Sequence, residues 1–301
     1  SVIFSQPPGC RQAAPGVEQI FFLFQVLHLL RLPKSGKQHL STGALLDEKQ
    51  VTLFIPCLVD QLYPEIGVAL CNVLSAIGWS VNYTPEHTCC GQPAFNAGHR
   101  PEAKQAAAAF VAAFPGSGEI VTVSGSCTAM VRVYYEELFQ EDARLPEVSR
   151  FVGRLAEFSE FIHRHDLYHK IQGVQRGRVG FHNSCHSFRE LHIEREPLRI
   201  LRCLDGFELI ESANKQICCG FGGVFYLKYS TISSAMGGSR LQYFLDAGAD
   251  TVVANDPGCI MQMRQEAASR KLNIRIYHLV EFLAQAMGLG CELNLSKRSA
   301  G

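Results

Sequence analysis

From residue 51 onward the chain alternates short apolar, β-rich runs with longer segments of helical spacing. VTLFIP (51–56) is a continuous apolar run, which predicts a buried strand ending at Cys57. IGVALCNVLSAIG (66–78) places apolar residues at helical intervals and closes on Gly78, a helix-stop residue. SVNYT (80–84) alternates as a strand does, and Cys89-Cys90-Gly91 follows it. The Ala-rich segment 102–114, entered after Pro101, predicts a helix. EIVTVSG (119–125) predicts a strand running into Cys127, followed by helices over 130–139 and 155–165.

The order then repeats. RVGFHNS (178–184) predicts a strand leading to Cys185, 197–204 a helix, and FELIES (207–212) a strand before Cys218-Cys219-Gly220. A helix over most of 232–248 and a strand over 250–258 lead to Cys259, a helix covers 260–271, and 274–288 closes the copy. Cys57 and Cys185 lie 128 positions apart, Cys89 and Cys218 129, Cys90 and Cys219 129, and Cys127 and Cys259 132. Glu157-Phe158 matches Glu281-Phe282 at an offset of 124. Conserved order at near-constant offset identifies a duplication. Strands alternating with helices imply an α/β chain of two pseudo-symmetric Rossmann-like halves with mainly parallel sheets. The expected organisation is an atypical extension over 1–49, possessing several prolines and one apolar burst; a first cysteine-rich repeat over 50–170; a second over 171–290; and a tail over 291–301.

Composition narrows the function. The 301 residues are 47% hydrophobic, enough for one large core or two ordinary ones. Lys+Arg and Asp+Glu balance at 28 each with no basic block, which argues against a nucleic-acid surface or a polybasic membrane patch. The apolar burst at 20–30 is shorter than the roughly 20 residues a membrane span needs, so no transmembrane segment is expected. Twelve cysteines in a chain of this length, without the pattern of a signal peptide, favour reduced thiols in a cytoplasmic protein over a disulfide scaffold.

The repeated constellation is one cysteine at a first strand end, an adjacent pair before a glycine, and a cysteine at a later strand end. Ligands in α/β sheets collect at the carboxyl ends of strands. Cys57, Cys89, Cys90 and Cys127 in one copy, and Cys185, Cys218, Cys219 and Cys259 in the other, are therefore the candidate metal and cofactor ligands. Thiolates are soft donors suited to iron–sulfur clusters, zinc or Cu(I). Zinc usually shows Cys-x-x-Cys knuckles, absent here, and adjacent cysteines suit a multinuclear cluster better than one tetrahedral ion. Cys71 and Cys203 read as small core residues on helix faces, while Cys10 and Cys291 lie towards the chain ends.

Other polar residues carry less. His87, His182 and His186 lie near ligand cysteines and are read by default as loop histidines. Ser124, Ser126 and Ser184 could donate to sulfur, though simple turn chemistry accounts for them too. Asp256, Glu65 and Glu190 default to caps or surface, and Arg132, Arg189 and Arg264 to solvated helix positions. Gly220-Phe221-Gly222-Gly223 lacks the strand–turn–helix context of a dinucleotide fingerprint. No residue emerges as catalytic.

The segments LFIPCLVDQLYPEIG, CCGQPAFNAGHRPEAK, VSGSCTAMVR, HNSCHSFREL, CCGFGGVF and NDPGCIMQMR resemble the cysteine-rich domain family over about 51–288. Its members include the heterodisulfide reductase B subunit and the glycolate oxidase iron–sulfur subunit; the SGSC and CCGFGG forms are most similar to its lactate utilization protein A branch. The resemblance implies an iron–sulfur electron-transfer subunit, of 4Fe-4S type, in a complex that oxidises L-lactate to pyruvate. It would be a co-catalytic part of an oxidoreductase beside a ferredoxin-type iron–sulfur protein and a third subunit, with no nucleic acid as partner. In the heterodisulfide reductase relative each motif ends Cys-x-x-Cys and supplies five ligands. Here Met130 and Gln262 stand at the fifth place, leaving four thiolates per copy. A zinc-stabilised interaction protein and a thiol–disulfide reductase subunit are the rival readings.

Overall fold

The computed structural model describes residues 49–83, 88–210 and 217–289. They form two four-stranded, all-parallel sheets. The first contains β1 (Gln50–Phe54), β2 (Ser80–Tyr83), β3 (Ile120–Thr122) and β4 (Leu155–Glu157) in the order β2-β1-β3-β4. The second contains β5 (Val174–His182), β6 (Asp205–Ile210), β7 (Thr251–Ala254) and β8 (Arg275–His278) in the order β6-β5-β7-β8. The two orders are the same topology used twice. Each reverses direction between its first and third strands, β1/β3 and β5/β7, which is the switch point where α/β sheets open a crevice.

The strands are short apolar runs because helices cover their faces, and buried parallel strands need no alternation. β3 and β7 are buried along their whole length. One apolar core runs through both halves: Val51, Leu53 and Val121 share it with Val179, Phe181 and Val253, and helix residues Leu70 and Leu74 share it with Leu279 and Leu283. Smaller cores sit on the outer face of each sheet, around Phe110 and Phe54 in the first half and Phe244 and Met263 in the second.

Two expectations change. The helix expected over 155–165 is β4 followed by a helix at Phe158–Arg164. Its three strand residues are buried between β3 and that helix, and too few to show a period of their own. The helix expected over 130–139 is broken by a π-helical turn at Met130–Tyr134, directly after the helix Gly125–Ala129 that carries Cys127. Such turns often mark functional sites. Short helices at Cys57–Leu62, Gln92–Asn96, Cys185–Arg189 and Val224–Lys228 were not apparent from periodicity, each being too brief to show one.

Among the described residues no helix is long and apolar enough to cross a membrane.

A candidate metal centre between the halves

Each cysteine is placed by the end of a strand. β1 ends at Phe54 and the helix Cys57–Leu62 starts at Cys57; β5 ends at His182 and the helix Cys185–Arg189 starts at Cys185. Cys127 and Cys259 lie in the first turns of the helices that follow β3 and β7. Side chains cap three of these helix starts. Ser124 Oγ accepts from Cys127 N at 3.1 Å, Ser184 Oγ from Ser187 N at 3.2 Å, and Asp256 Oδ1 from Gly258 N at 3.0 Å. Gly91 and Gly220 turn the chain after the paired cysteines with φ of +84° and +86°. A Cβ on Gly220 would lie 2.6 Å from Ser233 O, so this turn demands glycine twice over.

The sulfurs in each half touch. Cys57 hydrogen-bonds Cys89, Cys89 bonds Cys90, and Cys90 bonds Cys127. Cys185, Cys218, Cys219 and Cys259 form the matching chain, with Cys219 and Cys259 sulfurs 2.9 Å apart. All eight cysteines line one cleft. No disulfide joins the described cysteines; all are free thiols.

The electrostatics repeat as well. The thiol of Cys89 is pulled down to about 3, first by the hydrogen bond from Cys57 and then by those from Cys90 and the Gly91 N–H. Cys218 is pulled down to about 2 in the same way, first by Cys185, then by Cys219, with Gly220 N at 3.3 Å. Their neighbours move the opposite way. Cys57 and Cys185 are pushed well up because each gives its proton to that thiolate; Cys90 rises through its hydrogen bonds to Cys127 and then Cys89, Cys219 through those to Cys218 and then Cys259, and both through burial. Each half thus holds one thiolate with protonated thiols donating to it. Bringing in a metal would displace those protons.

The halves are tied together at the cleft. Asp256 Oδ2 accepts from Ser126 N at 2.8 Å and from Ser124 Oγ at 3.3 Å. His278 Nε2 donates to Val123 O at 2.8 Å; burial holds His278 down at about 4, so the ring is neutral near pH 7. Asp256 is therefore a buried cap and crosslink, not a surface carboxylate. Arg132 is clamped by both carboxylate oxygens of Glu160 at 2.7 and 2.8 Å, and Arg264 by Glu281 at 3.0 and 3.2 Å, so neither is a loose solvated side chain.

His182 also departs from expectation. It is fully buried at the end of β5, and one ring nitrogen lies within 4.8 Å of the Cys219 and Cys259 sulfurs. Arg240, fully buried on the helix Ser230–Asp246, donates from Nε to His182 Nδ1 at 3.0 Å. Burial first, and then Arg240, drive the histidine down to about 3. Sequence spacing offers no link between residues 182 and 240. The visible signal is that His182 stands where the first copy has Phe54. His186 remains near the cleft, with Nδ1 3.6 Å from Cys185 Sγ and Nε2 3.5 Å from Gln92 Nε2. Cys71 and Cys203 pack against the shared core. His87, Cys10 and Cys291 lie outside the described residues.

A four-thiol set at a parallel-sheet switch point, present twice, matches a known arrangement. The model of the cysteine-rich domain matches residues 51–132 and 179–264. The chain belongs to the cysteine-rich domain family. Among its relatives, lactate utilization protein A 2 of Bacillus cereus (strain Q1) is 35% identical over 79% of this chain and 99% of that protein. Lactate utilization protein A of Geobacillus kaustophilus is 34% identical over 78% of this chain and 98% of that protein. A crystal structure of a hypothetical protein from Helicobacter pylori superposes with a TM-score of 0.53 at 12% identity, over 93% of this chain and 56% of that one. This chain thus spans little more than half the length of that structure, and the likeness is one of fold.

The donor set fits a metal group. Four sulfurs per half already lie in a hydrogen-bonded chain, one of them pulled well down in pKa, and a buried histidine N–H in the second half has no protein partner. Soft thiolates in this number suit iron–sulfur or zinc chemistry.

Proposed function

We propose that this chain is an iron–sulfur electron carrier acting in lactate utilization, in the oxidation of L-lactate to pyruvate by a multi-protein system. One observation carries the reading: eight cysteine sulfurs, as two repeated sets of four, line one cleft. Cys57, Cys89, Cys90 and Cys127 would hold one group, and Cys185, Cys218, Cys219 and Cys259 the other, within repeats taken as 50–170 and 171–290. An iron–sulfur cluster bound there supplies reversible one-electron chemistry.

The chain's own residues do the rest. The paired cysteines, fixed by the turns at Gly91 and Gly220, present adjacent sulfurs that can reach different metal atoms. Ser124, Ser184 and Asp256 hold the helix starts that carry the remaining thiols. The buried Cys90, Cys127, Cys219 and Cys259 keep part of each site from water, which limits oxidation of thiolate and cluster. Relatives named for lactate utilization support the pathway, and a partner protein would exchange electrons at the cleft mouth. So many reduced thiols fit a cytoplasmic setting.

The test is elemental and spectroscopic. Anaerobically purified protein is expected to be brown, to contain iron and sulfide, and to show an EPR signal on reduction. The double variant C89S/C90S is expected to lose the first-half share, about half of the iron. A colourless zinc-containing protein, or a double variant that keeps its full iron and sulfide, refutes the assignment.

A further inference from the structure

The two four-cysteine sets are alike, but their surroundings are not. The segment entering Cys57 reads Phe54-Ile55-Pro56, while the one entering Cys185 reads His182-Asn183-Ser184. Before Cys127 stands Val123, and at the same offset before Cys259 stands Asn255. In the first half Phe54 packs on Phe110 with ring centroids 4.6 Å apart. The buried Tyr135 donates to the Cys90 carbonyl at 2.9 Å and not to a sulfur, and the buried Ser124 hydroxyl caps the helix that carries Cys127. In the second half Asn255 Nδ2 donates to Asn183 Oδ1 at 2.8 Å, and Asn255 Oδ1 accepts from Ser184 N at 2.9 Å. The strand ends that enter the second site are polar, His182 and Asn255, where those that enter the first are apolar, Phe54 and Val123.

The buried His182–Arg240 pair completes the difference. An arginine has donors only, so the 3.0 Å contact from its Nε requires a lone pair on His182 Nδ1. The ring proton therefore sits on Nε2. That N–H is buried without a hydrogen-bond partner, and a ring nitrogen of the same histidine lies within 4.8 Å of the sulfurs of Cys219 and Cys259. A protonated Nε2 has no lone pair to give a metal, so it is a donor and not a ligand. Behind it the guanidinium of Arg240 is fully buried, and charge on Cys259 and Cys219 is among what stabilises its cation.

We propose that His182 and Arg240 are a positioning pair, aiming an N–H and a positive charge at the iron–sulfur group of the second half and making it the more easily reduced of the two. This rests on the reading that each half holds such a group. Reduction adds one electron to an assembly that its thiolates already make anionic. A nearby cation and an N–H donor stabilise the added charge in a site where water screens little. Asp256 acts in the opposite direction, but its carboxylate is already engaged by Gly258 N, Ser126 N and Ser124 Oγ, two of them from the other half. The first half has Phe54 where the second has His182.

The test is an anaerobic redox titration of the full chain followed by EPR, with iron and sulfide measured on every sample. C89S/C90S leaves the second-half group and C218S/C219S the first-half group. The former is expected to titrate at the higher potential. His182→Phe copies the first-half residue. It is expected to shift the second-half equilibrium at least tenfold toward the oxidised form, 59 mV for one electron, with iron content and the first-half signal unchanged. His182→Gln, which keeps an N–H donor, is expected to recover part of that shift. The proposal is overturned if the second-half group titrates at an equal or lower potential, or if His182→Phe keeps its iron and its potential. It is also overturned if His182→Phe folds normally by circular dichroism but loses half the iron, since the histidine is then a ligand. Should that variant fail to fold, the order of potentials from the two cysteine-pair variants decides. Absence of iron from the parent protein would instead remove the proposed function itself.

Discussion

Glu157 is fully buried at the end of β4, and desolvation pushes its carboxyl up from 4.5 to about 7 against the pull of its hydrogen bonds. Oε2 accepts from Ser159 N at 2.8 Å and from the Ser159 hydroxyl, while Oε1 has no partner. Its repeat counterpart Glu281 is paired with Arg264, but the matching arginine in the first half, Arg132, is taken by Glu160. Between pH 4.5 and about 7 the folded chain therefore holds a proton on Glu157 that the unfolded chain has released. Stability falls as pH rises through that window and levels off above it. A shift of this size corresponds to about 3 kcal/mol at about 1.4 kcal/mol per unit. Glu157→Gln keeps a carbonyl that can accept from Ser159 and cannot ionise. Urea unfolding of both proteins, run anaerobically from pH 5 to pH 8.5, isolates this group, because every other titration cancels in the difference. The variant is expected to gain on the parent progressively as pH rises, by about 2.5 kcal/mol between the two ends, the first part of the loss lying below pH 5. A difference that stays flat with pH would show that Glu157 is ionised in the folded protein, and the desolvation argument would be wrong.

Two further outcomes test the cradle. Gly220→Ala would put its Cβ 2.6 Å from Ser233 O and 2.8 Å from Met236 Cβ at a φ of +86°; Gly223→Ala meets nothing within 4 Å at a φ of +61°. The first is expected to lose about 2–4 kcal/mol and its second-half iron, the second only the backbone cost of about 1–2 kcal/mol, as read by thermal melting and iron content. In metal-free protein at pH 6, Cys89 and Cys218 are expected to alkylate ahead of Cys57 and Cys90, because hydrogen bonds from neighbouring thiols hold them ionised. Peptide mass spectrometry after brief iodoacetamide treatment reads the order, and first labelling at Cys57 would contradict it.

The duplication and the strand-end placement of the thiols were legible because both rest on fixed spacings. Cysteines at near-constant offset need no knowledge of packing, and parallel sheets put their chemistry at carboxyl ends whatever the side chains. Helical spacing misled at 155–165, where Leu155, Phe158, Phe161 and Ile162 mimic an amphipathic helix although the first of them lies in a strand. Three buried strand residues are shorter than any period that could declare them. His182 was misjudged for another reason. Its burial and its Arg240 partner depend on the helix Ser230–Asp246 packing against β5, where Phe244 lies at Gly180, a contact that local sequence does not encode. Comparison of the copies position by position, Phe54 against His182 and Val123 against Asn255, carries the trace of that difference.

The two sets of thiols face one cleft for a reason that the repeat itself supplies. Ser124 and Asp256 are 132 positions apart, the same offset as Cys127 and Cys259, and each caps the helix that carries its cysteine. Equivalent residues of two copies can touch only near the axis that relates the copies, and Ser124 Oγ lies 3.3 Å from Asp256 Oδ2. That contact therefore marks the pseudo-symmetry axis, with one thiol set on either side. Packing is tight there: a Cβ on Gly125 would fall 1.9 Å from Ser187 Oγ of the opposite half. Asp256 is the charged member of that contact, and its charge bears on Cys185 and Cys259 of its own copy, where three hydrogen bonds already engage it. His182 and Arg240 belong to the second copy alone. A duplicated fold begins with two equal sites, and later substitutions make them unequal; besides Ser124 against Asp256 at the axis, the polar strand end of the second copy is where this chain carries them.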